Sequence, residues 1–247
     1  MTDHAPSEND ALLLIGHGSS RYPDAGRTLH IQAGRLRERG LFRQVEVALL
    51  ANEPKASAVL SRMDARTVKV VPFFMDDGYF ARVAVPNALA GDPRCRLCPP
   101  VGEHGGMAEI IALLAFRGCA GDGMDPGMTS VILIGHGSAT SPGRHLALHR
   151  HAAKVSSAQI FLRCVPACLE ETPFLADVLA AERLHPVSAI GFFAGEGMHV
   201  RDDVPMTIAA EARVRGVDGP PVRYHGSVAD DARITDIILD QAGMGRT

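Results

Sequence analysis

The strongest constraint on the fold is a sequence segment that occurs twice, 119 positions apart. The motif Leu-Ile-Gly-His-Gly-Ser begins at Leu14 and again at Leu133. The same offset relates the Phe-Phe pairs that begin at Phe73 and Phe192. A register kept over about seventy positions without a gap indicates an internal duplication. The chain is therefore expected to contain two lobes with the same fold.

Each copy alternates between patterns typical of buried strands and patterns typical of helices. The wholly apolar runs at 11–15 and 130–134 are typical of parallel strands that are covered on both faces. Strand–helix alternation predicts an α/β fold, with a parallel sheet flanked by helices in each copy. A glycine-rich stretch without periodicity at 118–127 is the candidate linker. We therefore predict an N-terminal lobe at 1–119 and a C-terminal lobe at 128–247.

Composition and charge narrow the classes of function. The chain has 25 Lys and Arg against 28 Asp and Glu, so it lacks the broad basic field that nucleic-acid binding needs. No apolar run approaches the length of a membrane span, and the polar N-terminus predicts no secretory signal. Five cysteines, an odd number, do not indicate a disulfide framework. We expect a cytoplasmic protein with reduced thiols, either a monomer or a homodimer.

Candidate reactive residues follow the predicted strands of the second copy. Ligands of open α/β sheets bind beyond the carboxyl ends of the strands. At these ends lie His136, then Glu170 and Glu171, and then His199. Neutral imidazole binds borderline divalent metals such as Co, Ni, Fe or Zn, and it moves protons readily near neutral pH. Two imidazoles and a carboxylate on one rim therefore indicate metal or proton-transfer chemistry.

The first copy has lost part of this constellation. His17 and Glu53 follow its first and second strands. The position that matches His199 is occupied by Phe80, and the position that matches Asp203 by Ala84. A benzyl side chain neither binds a metal ion nor accepts a proton, so the complete pair of imidazoles is expected only in the C-terminal lobe.

These motifs together resemble those of the class II tetrapyrrole chelatases. The resemblance consists of His-Gly-Ser after the first strand, Glu-Pro opening the next helix near Pro54, and Phe-Phe followed by Gly-x-His-Val-x-x-Asp-x-Pro at 197–205. The most similar group is the CbiX-type sirohydrochlorin cobaltochelatases with their sirohydrochlorin ferrochelatase relatives. The resemblance covers nearly the whole chain, because the long forms of this family are themselves duplications with two chelatase-like lobes.

The resemblance implies ATP-independent insertion of a divalent metal into a tetrapyrrole such as sirohydrochlorin, with Co²⁺ favoured over Fe²⁺ or Ni²⁺. It makes His136 and His199 the metal-binding and catalytic residues, without an organic cofactor. Their place in the C-terminal lobe differs from the long cobaltochelatases, in which the pair typically lies in the N-terminal lobe. The sequence also contains no Gly-x-x-x-x-Gly-Lys-Ser/Thr motif for a nucleotide phosphate.

The remaining candidates are expected to contact the carboxylates that surround sirohydrochlorin. Glycine-rich turns after strands expose backbone N–H groups that attract anions, and arginines bind carboxylates through paired hydrogen bonds. The candidate substrate-binding residues are His17, Ser19, Ser138, Arg82 and Arg201, with Arg21 and Arg144 in the same loops. For His17, a role in carboxylate binding and a relic of the duplication both stay open.

Two further questions stay open from the sequence. Glu171 is preferred over Glu170 as the catalytic carboxylate, although either residue would also suit the first turn of a helix. A chelatase-like protein that binds a tetrapyrrole or metal without turnover is the main alternative to an enzyme, and multiple turnovers would distinguish the two. A hydrolase is disfavoured, because the Gly-x-Ser-x-Gly elbow is absent from the sequence.

Overall fold

Two four-stranded parallel sheets flanked by helices make up the part of the chain that the computed structural model describes, residues 10–19, 26–139, 143, 146–195, 197 and 199–244. The strand order β2-β1-β3-β4 holds in the first sheet, with β1 (Asp10–Gly16), β2 (Gln44–Leu49), β3 (Thr67–Pro72) and β4 (Cys95–Leu97). The order β6-β5-β7-β8 holds in the second, with β5 (Ser130–Gly135), β6 (Arg163–Cys168), β7 (Val187–Gly191) and β8 (Val222–Ser227). The predicted fold class is confirmed.

Eight α-helices are described. They are α1 (Arg27–Arg39), α2 (Ala56–Leu60), α3 (Val85–Ala88), α4 (Met107–Gly121), α5 (Leu146–Ser157), α6 (Leu175–Ala181), α7 (Val204–Arg215) and α8 (Ile234–Gln241). Two π-helical turns, Phe80–Ala84 and His199–Asp203, lead directly into α3 and α7. No helix among the described residues has both the length and the apolar character needed to cross a bilayer.

The central strands are buried on both faces, as their composition predicts. Residues 11–15 of β1 and 131–134 of β5 have no accessible surface, because each strand has a hydrogen-bonded neighbour on either side and helices cover the sheet. Fully covered strands need apolar side chains at every position rather than at alternate ones. The motif that follows each central strand is therefore held at the end of a rigid, buried element.

Matching backbone hydrogen bonds show that the two Gly-His-Gly-Ser turns occupy equivalent places. The amide of Ala51 donates to the carbonyl of His17 at 2.8 Å, and the amide of Glu170 donates to the carbonyl of His136 at 2.9 Å. Both pairs are related by the offset of 119. The expected equivalence of residues 16–19 and 135–138 is thus confirmed at the strand ends, and Glu170 corresponds to Ala51.

The turns after β2 and β6 are equivalent as well. Leu49 donates to the carbonyl of Pro54 at 2.9 Å and Cys168 donates to that of Pro173 at 2.8 Å, and both prolines follow cis peptide bonds. The sequence predicted that a helix begins near Pro54. Because the carbonyl of Pro54 is bonded back to the strand end, α2 begins later, at Ala56.

The compact units differ from the sequence repeats in their closing helices. One unit comprises Met1–His104 with Ala232–Thr247, and the other comprises Gly105–Asp231; we call them unit 1 and unit 2. Helix α8 therefore belongs to unit 1, where the Thr235 hydroxyl donates to Gln32 Oε1 at 2.8 Å. Helix α4 belongs to unit 2, where Gly118 leaves room for the ring of His225. The bounds 1–119 and 128–247 remain our proposal for the duplicated segments of sequence.

Candidate functional site

The imidazole of His136 lies at the carboxyl end of β5, with its side chain exposed. Its Nδ1 is 3.2 Å from the carbonyl oxygen of Gly137 and 3.6 Å from Oε2 of Glu170. A carbonyl oxygen only accepts hydrogen bonds, so we assign the hydrogen to Nδ1 and the lone pair to Nε2. This tautomer leaves Nε2 as the nitrogen suited to bind a metal or accept a proton.

Two adjacent glutamates of the turn after β6 have different surroundings. The Glu170 side chain is 44% exposed and lies beside His136, whereas Glu171 is only 7% exposed. Oε2 of Glu171 accepts a hydrogen bond from the amide of Gly143 at 2.8 Å. Both residues precede α6, so neither occupies the first turn of that helix. Of the two carboxylates, the structure places Glu170 next to the imidazole and Glu171 in the interior.

Gly137 has a conformation and an environment that exclude a side chain. Its φ is 77°, in the left-handed region that glycine adopts without strain. A Cβ built at this position would lie 2.9 Å from Cγ of Glu171 and 2.9 Å from Cβ of Cys168. The second glycine of the Gly-His-Gly motif therefore lets the turn that carries His136 pack directly on the turn that carries both glutamates.

Replacing Gly137 with alanine is expected to lower the free energy of unfolding by about 2 to 4 kcal/mol, because left-handed strain and overpacking add. The measurement is urea unfolding followed by circular dichroism. Gly34→Ala is the matched control, since Gly34 lies within α1 and nothing stands within 4 Å of a Cβ there. Alanine in that helix is expected to stabilise by up to about 1 kcal/mol. Equal effects of the two changes would contradict the packing described for Gly137.

Some predicted site residues lie outside the described part of the chain. The backbone of His199 begins a π-helical turn after β7, but its side chain is not described, and Arg21 and Arg144 are not described at all. Arg201, in the same turn as His199, is exposed. The pairing of His136 with His199 therefore stays a prediction.

At the equivalent rim of unit 1, an aromatic ring and a methyl group take the positions at which the sequence of unit 2 has an imidazole and a carboxylate. The ring of Phe80 lies with its centroid 4.5 Å from that of His17. Ala51 takes the place that Glu170 has in unit 2. Unit 1 has therefore lost a carboxylate as well as an imidazole. The offset of 119 already pairs Ala51 with Glu170, although the sequence comparison considered only Glu53 on that turn.

Partial burial lowers the pKa of His17 from its ordinary value of 6.5. The imidazole is exposed at one side and contacts Phe80 at the other, so desolvation disfavours its charged form. His17 is accordingly neutral near pH 7, which suits a contact with an uncharged ligand surface better than an ion pair with a carboxylate.

Arg82, a predicted carboxylate-binding residue, is engaged within its own loop. Its Nε and Nη2 lie 2.8 and 2.7 Å from Oδ2 of Asp77, and this carboxylate raises the pKa of the guanidinium. The two serines that follow the glycine motifs, Ser19 and Ser138, are half-buried. Substrate contacts of these three residues stay predictions.

Within the described residues, no group of three His, Cys, Asp or Glu side chains is arranged to hold a metal ion. The five cysteines are free thiols, and burial raises the pKa of Cys164 to about 12. Cys164 is therefore a protonated thiol near pH 7 and is not suited to bind a metal ion as a thiolate. At the strand ends of unit 2, the described residues therefore include an imidazole next to a carboxylate, His136 and Glu170.

Comparison with known proteins supports the family resemblance. Residues 11–115 match the family model of CbiX. Over 94% of its length, the chain is 26% identical to a probable sirohydrochlorin cobaltochelatase of Halobacterium salinarum, 90% of which is covered.

Three solved structures share the fold. DR2241 of Deinococcus radiodurans is a multi-domain protein with structural similarity to chelatases. It superposes on 97% of this chain with a TM-score of 0.82 and 26% identity, and the matched part is 56% of DR2241. CbiX, described as the terminal enzyme of siroheme biosynthesis in denitrifying bacteria, gives a TM-score of 0.74 and 25% identity, covering 97% of this chain and all of that one. SirB of Bacillus subtilis with Fe³⁺ gives 0.77 at 17% identity, covering 95% and 94% of the two chains. Residues 11–115 are thus similar to the CbiX family, and the chain as a whole is similar in fold to these three proteins.

Proposed function

We propose that this protein inserts a divalent metal into a tetrapyrrole such as sirohydrochlorin without using ATP. The observation that carries the proposal is the placement of His136 beside Glu170 at the ends of two parallel strands. This pair occurs in a chain related to CbiX and to a probable sirohydrochlorin cobaltochelatase. The metal is a substrate in this reaction rather than a resident cofactor, and no organic cofactor takes part.

His199 is proposed as the second imidazole of the site. In unit 1, the residue at the equivalent position is Phe80, and its ring contacts that of His17. The two positions begin equivalent π-helical turns, and His17 and His136 occupy equivalent strand ends. If His199 lies beside His136 as Phe80 lies beside His17, the two imidazoles would form a site with two neutral nitrogen ligands.

In the proposed reaction, His136 and His199 bind the incoming metal through neutral ring nitrogens. Each pyrrole N–H bond breaks with its electron pair left on nitrogen, and these pairs bind the metal as it leaves the imidazoles. The vacated imidazole nitrogens accept the two protons and pass them to solvent, so the metal keeps its oxidation state. Glu170, beside Nδ1 of His136, orients the ring and stabilises the imidazolium that forms.

Glu171 is proposed to support the site rather than to react. Its buried carboxylate accepts from the amide of Gly143 and packs against Gly137. It therefore holds the segment after His136 against the turn that carries Glu170. We propose Glu170 rather than Glu171 for the role beside the imidazole, supported by the 3.6 Å between Glu170 Oε2 and His136 Nδ1; the expectation that Glu171 reacts stays untested.

Cobalt is the metal that we propose first. The relative in Halobacterium salinarum bears a cobaltochelatase name, while the SirB structure of the same fold contains Fe³⁺, so Fe²⁺ and Ni²⁺ are the alternatives to test. We place the enzyme in the cytoplasm as a monomer or homodimer. Arg201 with Ser138, and Arg82 with Ser19, are the proposed contacts to the carboxylates of the macrocycle.

A second candidate function is binding of a tetrapyrrole or metal without turnover. The observation that favours it is the loss of two reactive groups in unit 1, where Ala51 and Phe80 replace a glutamate and a histidine. A protein that had abandoned catalysis would tolerate such losses. The equivalent positions of unit 2 keep both groups, which favours an enzyme.

The proposal is tested by incubating the protein with metal-free sirohydrochlorin and Co²⁺, Fe²⁺ or Ni²⁺ in turn. Visible absorption follows metal insertion, and reactions without protein give the uncatalysed rate. We expect the protein to accelerate insertion of at least one of the three metals, Co²⁺ first, equally with and without ATP. Strict dependence on ATP, or no acceleration with any of the metals, would refute the proposed function.

A further inference from the structure

A cluster of ring side chains lies at the ends of β1 and β3 in unit 1. It consists of His17, Phe74, Tyr79 and Phe80, and we call it the Phe80 cluster. Phe80 is at its centre, because the other three rings all contact it. The centroid of the Phe80 ring lies 4.5 Å from that of His17 and 5.8 Å from that of Phe74, with which it forms a parallel stack. It lies 5.6 Å from the centroid of Tyr79, which is edge-on.

The cluster is anchored in the core but is not part of it. Phe74 is buried, whereas Phe80 is 41% exposed and Tyr79 is 67% exposed. The outer side of the stack therefore faces solvent at the strand ends, where sheets of this class bind their ligands. Two neighbouring exposed rings at the strand ends, one of them stacked on a buried ring, form an aromatic surface that a ligand can contact.

The position of Phe80 in the repeat indicates what kind of ligand the rim of unit 1 suits. Phe80 replaces the imidazole of His199, and Ala51 replaces the carboxylate of Glu170. Metal binding and proton transfer are lost together by these two replacements, and an aromatic surface is gained. The neutral His17 beside Phe80 adds no charge that a flat apolar ligand would have to desolvate.

We propose that the Phe80 cluster binds the flat face of a tetrapyrrole by aromatic stacking, so that unit 1 contributes affinity for the macrocycle rather than metal transfer. This inference rests on the proposed function, which supplies the planar conjugated ligand. Stacked aromatic pairs contribute about 0.5 to 1.5 kcal/mol beyond the burial of apolar area, and Phe80 is held in place for such a contact by Phe74 behind it.

The test is titration of the full-length protein with metal-free sirohydrochlorin, with the Kd obtained from the change in visible absorption. Phe80→Ala and Phe80→Leu are each expected to raise the Kd about tenfold, whereas Phe80→Trp should keep it within about threefold of wild type, because only tryptophan preserves a ring for stacking. Phe116→Ala is the matched control, since Phe116 is 48% exposed and lies on α4, outside the Phe80 cluster. It should leave the Kd unchanged.

The outcomes separate this inference from the proposed function. Wild-type Kd values for both Phe80→Ala and Phe80→Leu, in variants that keep the wild-type circular dichroism spectrum, would overturn the stacking role of Phe80. If the wild-type protein nevertheless inserts metal, the proposed function is supported and only the stacking role of Phe80 is refuted. If the Kd depends on Phe80 as expected but no metal is inserted, the stacking role stands and the enzymatic proposal fails.

Discussion

The His199→Ala variant is expected to insert metal at least about a hundredfold more slowly than the wild-type protein, because it removes one of the two groups that we propose to bind metal and accept protons. His136→Ala should lose a similar factor. His199 begins a turn at the rim of the sheet, and the His136 side chain is exposed, so neither change is expected to disturb the core. Initial rates of sirohydrochlorin metallation and unfolding curves provide the two measurements.

His17→Ala is the matched control for these variants, since His17 occupies the equivalent place in unit 1. We expect a rate within about tenfold of wild type, because Ala51 and Phe80 leave unit 1 without the other reactive groups. A near-normal rate for His199→Ala combined with a large loss for His17→Ala would move the reactive site to unit 1.

Glu170→Gln is expected to lower kcat by about ten- to a hundredfold, the usual cost of losing a carboxylate that orients a reactive histidine. The change keeps the size of the side chain but removes the charge that we propose to stabilise the imidazolium of His136. Affinity for metal-free sirohydrochlorin should stay the same, and Glu170→Asp should recover part of the rate. Steady-state kinetics and the Kd titration separate these effects.

Glu171→Gln is the companion variant, because a glutamine oxygen still accepts from the amide of Gly143. We expect nearly wild-type kcat from it, while Glu171→Ala should lower the free energy of unfolding by about 1 to 3 kcal/mol, because it removes a hydrogen bond to a charged group and the packing against Gly137. The reverse pattern, with an inactive Glu171→Gln and an active Glu170→Gln, would make Glu171 the reacting carboxylate after all.

The sheets were predictable because their signals are local and repeated. Fully apolar strands at 11–15 and 130–134 and a constant offset of 119 are visible without any structure. The assignment of the closing helices was not predictable in the same way. The isoleucines at 234, 237 and 238 of α8 are buried in unit 1. An apolar helix face of this kind suits either sheet, and the linear order of the chain alone would assign α8 to the second sheet.

The site was predictable in its residue types more than in its geometry. His136 was found because a strand end and a recurring motif coincide there. The difference between Glu170 and Glu171 depends on which way two adjacent side chains leave a turn. The hydrogen bond from Gly143, which is 28 positions away in the sequence, holds Glu171 in the interior. The contact of Phe80 with His17 joins two different turns, which neither spacing nor periodicity reveals.

The most direct test of the enzymatic account is the number of metallated macrocycles formed per protein molecule. Metal-free sirohydrochlorin and Co²⁺ are supplied in large excess over the protein without ATP, and the product is followed by visible absorption against a reaction without protein. We expect many turnovers from the wild-type protein and a rate near the uncatalysed one from the His136→Ala, His199→Ala double variant. An absorbance change that stops at one equivalent per protein molecule, or a double variant as fast as wild type, would contradict catalysis by these two histidines.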